Sequence, residues 1–197
     1  MMVTFESCNY SKMLKKDLNE FYFIRKKIFK DRLDWLVKCK DGMEFDEYDN
    51  ENTNYLIGKQ EGKIICGCRF IDMHFDNMLC GVFYKYFDKL TLPEGNYVEV
   101  TRLFIDNERD LEYEFARDLK LRFFLNIHTF AKESGYDGIY AVASEQLLCS
   151  LIKAGWNIEV QKIGISEKKE QIYFIIMPTK DIAILCLKDA LENKYAL

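Results

Sequence analysis

The sequence predicts an α/β (α+β) sandwich: one mixed, twisted sheet flanked by helices, in a single domain over residues 1–197. Three observations carry this. Short apolar runs bounded by turn residues recur along the chain, the mark of strands. Two longer segments, 11–29 and 110–134, carry apolar residues at helical spacing. The predicted strands fall on both sides of the 110–134 helix, so they belong to one sheet. No repeat, low-complexity tract or linker divides the chain, and Pro93 and Pro178 are its only prolines.

In chain order, residues 3–7 read as a short first strand. Residues 11–29 read as a helix with Leu14, Leu18, Phe21 and Ile28 on one stripe. Residues 31–52 are polar and irregular. The clearest local signal follows, two apolar runs flanking Lys59-Gln60-Glu61-Gly62, which is a β-hairpin pattern. A short helix is expected over 78–86 and a strand over 97–105. The 110–134 helix has Leu111, Phe115, Leu119, Phe123 and Ile127 at a spacing of four, and Gly135 is placed to end it. Residues 138–144 read as a buried strand and 145–154 as a helix closed by Gly155. Strands are expected at 157–165 and 171–177, and a last helix at 180–194.

Composition narrows the function. Hydrophobic residues at 49% and aromatics at 15% supply a sizeable core. A formal net charge of −4 argues against a general nucleic-acid binder. Glu6 interrupts any early apolar run, so no secretory signal is expected. The longest apolar runs, such as 173–177 and 182–187, are too short to span a bilayer. The 7 cysteines are scattered with no C-x-x-C spacing, which reads as reduced thiols of a cytoplasmic protein. His74 and His128 stand at no metal-ligand spacing, so no metal is expected.

The residues that bear chemistry are those that break apolar patterns. In 97–106, YVEVTRLFID, the run reads as a buried strand except for Glu99 and Arg102. Charges there are costly unless paired. Residues three apart on a strand point to opposite faces. The two therefore share a cleft only if the strand bulges between them; otherwise one faces inward and one outward at a sheet edge. Arg25 stands on the stripe of the first helix, either snorkelling at the core edge or facing a ligand. Phe29 and Trp35 could cradle a flat or cationic group beside it, or Trp35 could simply anchor a loop. The run EFDEYDNE, 44–51, supplies Glu44, Asp46, Glu47, Asp49 and Glu51. Such a run is usually a solvated loop, and it lacks the pattern of an EF-hand. It leads into the hairpin, where Arg69 interrupts an apolar run. A buried arginine needs a carboxylate, and Asp46 and Asp49 are the nearest in sequence. Glu99 and Arg102 could join the same ionic cluster.

The ordered set Arg25, Phe29, Trp35, Asp46, Asp49, Arg69, Phe83, Glu99 and Arg102 resembles the signature of the acyl-homoserine-lactone synthases, the bacterial quorum-sensing autoinducer synthases. It reads R-x3-F-x5-W, D-x2-D, a strand arginine, ML-x3-F from Met78-Leu79 to Phe83, and E-x-[ST]-R from Glu99 to Arg102. These positions span about 80 residues of the first half; the second half resembles the family only in its order of elements. The family usually has a Leu-Pro-Thr-Thr-Gly-like segment after the strand arginine, where this chain has Phe70-Ile71-Asp72-Met73-His74-Phe75.

The resemblance implies a fold similar to the N-acetyltransferases, with a splayed cleft. It implies synthesis of N-acyl-L-homoserine lactone from S-adenosylmethionine and an acyl-acyl carrier protein, releasing methylthioadenosine. S-adenosylmethionine is then a substrate, and no cofactor is expected. Glu99 would be the general base, with Arg102, Asp46, Asp49 and Arg69 organising the site. Arg25, Phe29, Trp35 and Phe83 would enclose S-adenosylmethionine. Ala141, Val142, Ala143, Leu147, Leu148 and Leu151 would line the acyl pocket. Arg117, Lys120, Arg122 and Lys153 would dock an acidic carrier protein. Alanines at 141 and 143, where a hydroxyl is associated with 3-oxo chains in the family, imply unsubstituted chains. Residues 102–118 contain no glycine, unlike the phosphate-cradling loop of coenzyme-A acetyltransferases, which favours a carrier-bound donor. A monomer is expected. The alternatives are an acyl-coenzyme-A N-acyltransferase acting on another amine and a non-catalytic acyl- or nucleoside-binding module.

Overall fold

The computed structural model describes residues 2–106 and 112–192. Its strands are β1 (Thr4–Asn9), β2 (Cys39–Lys40), β3 (Met43–Glu44), β4 (Thr53–Gln60), β5 (Lys63–Asp72), β6 (Tyr97–Ile105), β7 (Gly138–Ser144), β8 (Glu159–Ile165) and β9 (Gln171–Pro178). Its α-helices are α1 (Lys15–Arg25), α2 (Tyr113–Glu133), α3 (Glu145–Lys153) and α4 (Leu185–Glu192). A 7-stranded sheet runs in the order β1-β4-β5-β6-β7-β9-β8. Its pairs are antiparallel except β6–β7, which is parallel. A parallel pair needs a long crossover, and α2 is that crossover. The mixed sheet with flanking helices is the one expected from sequence.

Both faces of the sheet are buried, and the period of two sorts the side chains. Cys66, Cys68 and Phe70 of β5, with Val98 and Val100 of β6, pack against Phe123, Phe124, Ile127 and Ala131 of α2. On the opposite face Tyr55, Ile57, Ile64 and Phe104 pack under Phe21, Ile24, Ile28 and Phe29. A third cluster joins Leu79 and Phe87 to Tyr140, Phe174 and Ile176.

Several elements differ from expectation at their ends. Leu14 precedes α1 as its N-cap and is 70% exposed rather than on the buried stripe. The α-helix ends at Arg25 and continues as a π-helical stretch, Lys26–Arg32. The irregular 31–52 region contains a small β2–β3 hairpin, turned by Asp41 and Gly42 at positive φ. The short helix at 78–86 is a π-turn, Leu79–Phe83, followed by a 3₁₀ turn. The last helix begins as a 3₁₀ turn at Asp181. Leu111 and residues 193–194 lie outside the described residues. Among the described residues no helix is long and apolar enough to cross a membrane.

Two features of β6 shape the site. Its ladder with β7 covers only Tyr97–Glu99 against Gly138–Tyr140, so the two strands part beyond Glu99. Its register with β5 also slips: Gly67 faces Phe104 and Arg69 faces Thr101, which leaves Arg102 and Leu103 opposite Cys68. This is a β-bulge. Arg102 adopts φ 52°, a left-handed conformation costing a non-glycine residue about 1–3 kcal/mol.

Candidate active site

The bulge answers how Glu99 and Arg102 reach one side of the sheet. On a regular strand Arg102 would follow Val98 and Val100 toward α2. The inserted residue instead leaves Arg102 on the side of Glu99, Thr101 and Phe104, while Leu103 packs on the α2 side. The strain at Arg102 is held by what the guanidinium meets there.

Three guanidiniums meet three carboxylates in a buried cluster. Arg25 pairs through Nε with Glu44 and through Nη1 with Asp49 at 2.7 Å. Arg69 grips Asp46 with both Nη atoms, at 2.5 and 3.1 Å, and its Nη1 lies 3.0 Å from Asp49. Arg102 donates to Glu44 from Nε at 3.0 Å and to Asp46 from Nη2 at 3.0 Å. Arg69 Nε also donates to Thr101 Oγ1 at 3.0 Å, and Tyr55 donates to Asp49 at 2.7 Å. The bidentate and shared contacts lock all six side chains together. Burial alone would raise Asp49, but Arg25 and Arg69 hold its carboxyl well below the usual range. Burial would likewise lower Arg25, but Asp49 and Glu44 hold it above its ordinary value.

Glu99 stands beside this cluster rather than in it, which corrects the expectation that it pairs with the arginines. Its Oε2 accepts the Met78 N–H at 2.8 Å, and its buried Oε1 has no hydrogen-bond partner. Burial pushes its carboxyl up to about 7, against the opposing pull of the Met78 N–H and the Arg69 charge. Met78 ties the two parts together, since its sulfur lies 3.0 Å from Arg69 Nη2.

Over this floor lies a cavity of about 390 Å³. It is lined by the aromatics Phe29, Trp35 and Phe83, by the small and aliphatic side chains Ala141, Val142, Ala143, Leu147 and Leu151, and by Thr101 and Arg102. The Phe29 and Trp35 rings stack at 5.0 Å, and the Arg102 guanidinium sits 5.7 Å over the Phe29 ring. The space exists because β6 and β7 part.

Not every sequence-predicted residue lies where expected. Arg25, Asp46, Asp49, Arg69 and Glu99 do not line the cavity; they lie behind its wall, and Arg25 faces carboxylates rather than the open space. Leu148 also turns away into the α2 core, because α3 presents Leu147 and Leu151, four apart, to the cavity. Arg117 and Lys153 are exposed and Lys120 is half-buried. Arg122 bonds Asp118 at 2.7 Å. Helical geometry sets it about 140° around α2 from Arg117, so the two do not share one face. Sequence reasoning missed Glu44, which bridges Arg25 and Arg102. Charge balance was the available signal: three buried arginines require a third carboxylate once Glu99 is set aside. Among the described residues no cluster of His, Cys, Asp or Glu is arranged to hold a metal ion.

The autoinducer synthase family model matches residues 9–185. An acyl-homoserine-lactone synthase of Dickeya dadantii is 45% identical over 96% of this chain and 85% of its own length. Another, from Serratia liquefaciens, is 42% identical over 91% of each chain. The crystal structure of the acyl-homoserine-lactone synthase LasI superposes with a TM-score of 0.84 at 19% identity, covering 95% of each chain. The coenzyme-A-dependent synthase BjaI, solved with S-adenosylmethionine and isopentyl-coenzyme A, gives 0.84 at 18% identity over 97% of this chain and 90% of that one. The chain belongs to the autoinducer synthase family, acyltransferases that make acyl-homoserine lactones.

Proposed function

We propose that residues 1–197 form one catalytic domain that joins S-adenosylmethionine to a fatty acyl group held as a thioester on acyl carrier protein. The observation that carries this reading is one cavity lined both by stacked aromatics with a guanidinium and by alanine and leucine side chains. Phe29, Trp35 and Phe83 enclose S-adenosylmethionine. Arg25, Arg69, Arg102, Glu44, Asp46 and Asp49 balance in charge without Glu99. Ionised Glu99 is therefore a buried negative charge outside the balanced cluster, placed to take up a proton.

Glu99 does not line the cavity, so it takes the ammonium proton through one water. The freed amine attacks the thioester carbonyl. The β6 backbone beyond Glu99, released from the β7 ladder, supplies donors for the tetrahedral oxyanion. The intermediate expels the carrier thiolate, which takes the second proton from the amide nitrogen, and Glu99 releases the first proton to solvent. The carboxylate oxygen of the new amide then attacks the carbon next to the sulfonium, and the carbon–sulfur bond breaks to release neutral methylthioadenosine. We favour a carrier-bound donor because residues 102–118 lack the glycines of a pyrophosphate cradle. We place this monomeric enzyme in the cytoplasm, in keeping with its free cysteines. Methylthioadenosine and free carrier thiol should appear together, one for one, and only with both substrates present. Methylthioadenosine formed without an acyl donor would instead indicate hydrolysis of S-adenosylmethionine.

Two predictions belong to the cavity and its approach. Ala143 is fully buried on β7 and lines the apolar end. Ala143→Trp fills that space, so the preferred acyl chain shortens by several carbons while S-adenosylmethionine binding is unchanged. Product mass profiles and calorimetry check both halves. Arg117 and Lys153 are the exposed cations proposed to meet the acidic carrier. Reversing both to glutamate raises KM for the carrier roughly 2–10-fold at low salt, with kcat kept. An unchanged KM removes these residues from the docking face.

A further inference from the structure

We propose that Trp156 closes the inner end of the cavity and sets the longest acyl chain this enzyme accepts. This rests on the reading of the apolar end as the acyl site. Among the lining residues Leu36 and Trp35 are 77% and 38% exposed, whereas Leu151, Met177 and Trp156 are 1%, 2% and 3% exposed and pack into the α2 core. The opening is therefore at Trp35 and Leu36, and the closed end at Trp156. Its indole is the largest side chain at that end.

The indole has no room to retreat. Its ring packs against Phe124 at 6.1 Å and His128 at 6.2 Å, both buried residues of α2. Its backbone is fixed as well. Gly155 ends α3 at φ 88°, and a Cβ there would stand 2.8 Å from Cys186 Cβ and 2.9 Å from the Leu187 nitrogen. Only glycine permits that close approach to the Cys186–Leu187 backbone. Trp156 N also donates to Leu151 O at 3.3 Å, closing the end of α3. The indole is thus a rigid stop, whereas Ala141 and Ala143 flank the chain along its length.

The test compares the parent with Trp156→Phe and Trp156→Leu on an equimolar ladder of straight-chain acyl-carrier thioesters, read by lactone mass. Each newly buried methylene is worth roughly fourfold. Use of donors two carbons longer than the parental favourite should rise about tenfold in Trp156→Phe, with a further step in Trp156→Leu. Phenylalanine keeps an aromatic ring against Phe124 and His128, so it decides the matter if the leucine variant fails to fold. The parental profile, or a shift to shorter chains, in a cooperatively melting variant overturns the proposal. Thermal shift with a ladder of free fatty acids reads the same chain limit without turnover. If the parent makes no lactone from any donor, the assigned reaction fails while the fatty-acid ladder still judges Trp156.

Discussion

Glu99→Gln lowers kcat by about 10²–10⁴-fold, the usual contribution of a general base, and leaves S-adenosylmethionine binding largely intact. The glutamine keeps the shape and the Met78 contact but cannot accept the proton. A second readout separates this from a structural defect. With its carboxyl pushed up to about 7, Glu99 is mostly protonated at pH 6 and ionised at pH 8. The parental rate therefore rises with pH through about 7, and the variant lacks that limb. The stability effect has the opposite sign. Because the folded-state value is raised above the ordinary 4.5, the folded protein holds the proton more tightly than the unfolded chain. The stabilisation is full below about 4.5 and is lost as pH rises through about 7, a change of roughly 3 kcal/mol. Glu99→Gln should therefore melt higher than the parent at pH 8 while being nearly inactive. Full activity in the variant would remove Glu99 from the base role.

The second large effect is on folding. Asp46→Ala removes the bidentate carboxylate of Arg69, leaving its Nη1 only Asp49, and one of the two carboxylates that hold Arg102. Breaking a buried pair from one side typically costs about 3–5 kcal/mol. For a chain of this size the melting temperature falls by roughly 10 °C. Activity falls as well, because Arg102 loses part of what holds it in its strained conformation at the cavity wall. Asp181→Ala, which removes exposed contacts to Lys132 and Lys188, leaves melting unchanged and serves as the control. If Asp46→Ala melts like the parent, the cluster does not hold the site together.

The legible part of this molecule was whatever repeats with a fixed period. The β4–β5 hairpin, the α2 stripe and the order strand, helix, strand over β6, α2 and β7 follow from alternation and spacing, and Arg69 stands out because it breaks such a run. The pairing of Arg69 with Asp46 and Asp49 follows from the need to neutralise a buried cation. The bulge at Arg102 was legible only as a condition, because register is a property of two strands and nothing in YVEVTRLFID marks the slip opposite Cys68. The π-helical stretch after Arg25 was hidden because a π-turn adds a residue without changing composition. Glu44 is hidden among neighbouring carboxylates, since sequence nearness does not say which acidic side chains a loop turns inward. Glu99 is subject to the same limit: a strand position fixes a face but not a partner. Trp156 stood outside every pattern, being the residue after a helix-ending glycine.

The product of the purified protein decides whether the cavity joins these two substrates. It is incubated with S-adenosylmethionine and an acyl-carrier thioester, or with the matching acyl-coenzyme A, and the extract is examined by mass spectrometry. The expected product is an N-acyl-homoserine lactone with the donor's chain length, accompanied by methylthioadenosine and formed faster from the carrier thioester. An acylated amine with no lactone ring, or no acyl transfer from either donor, would contradict it.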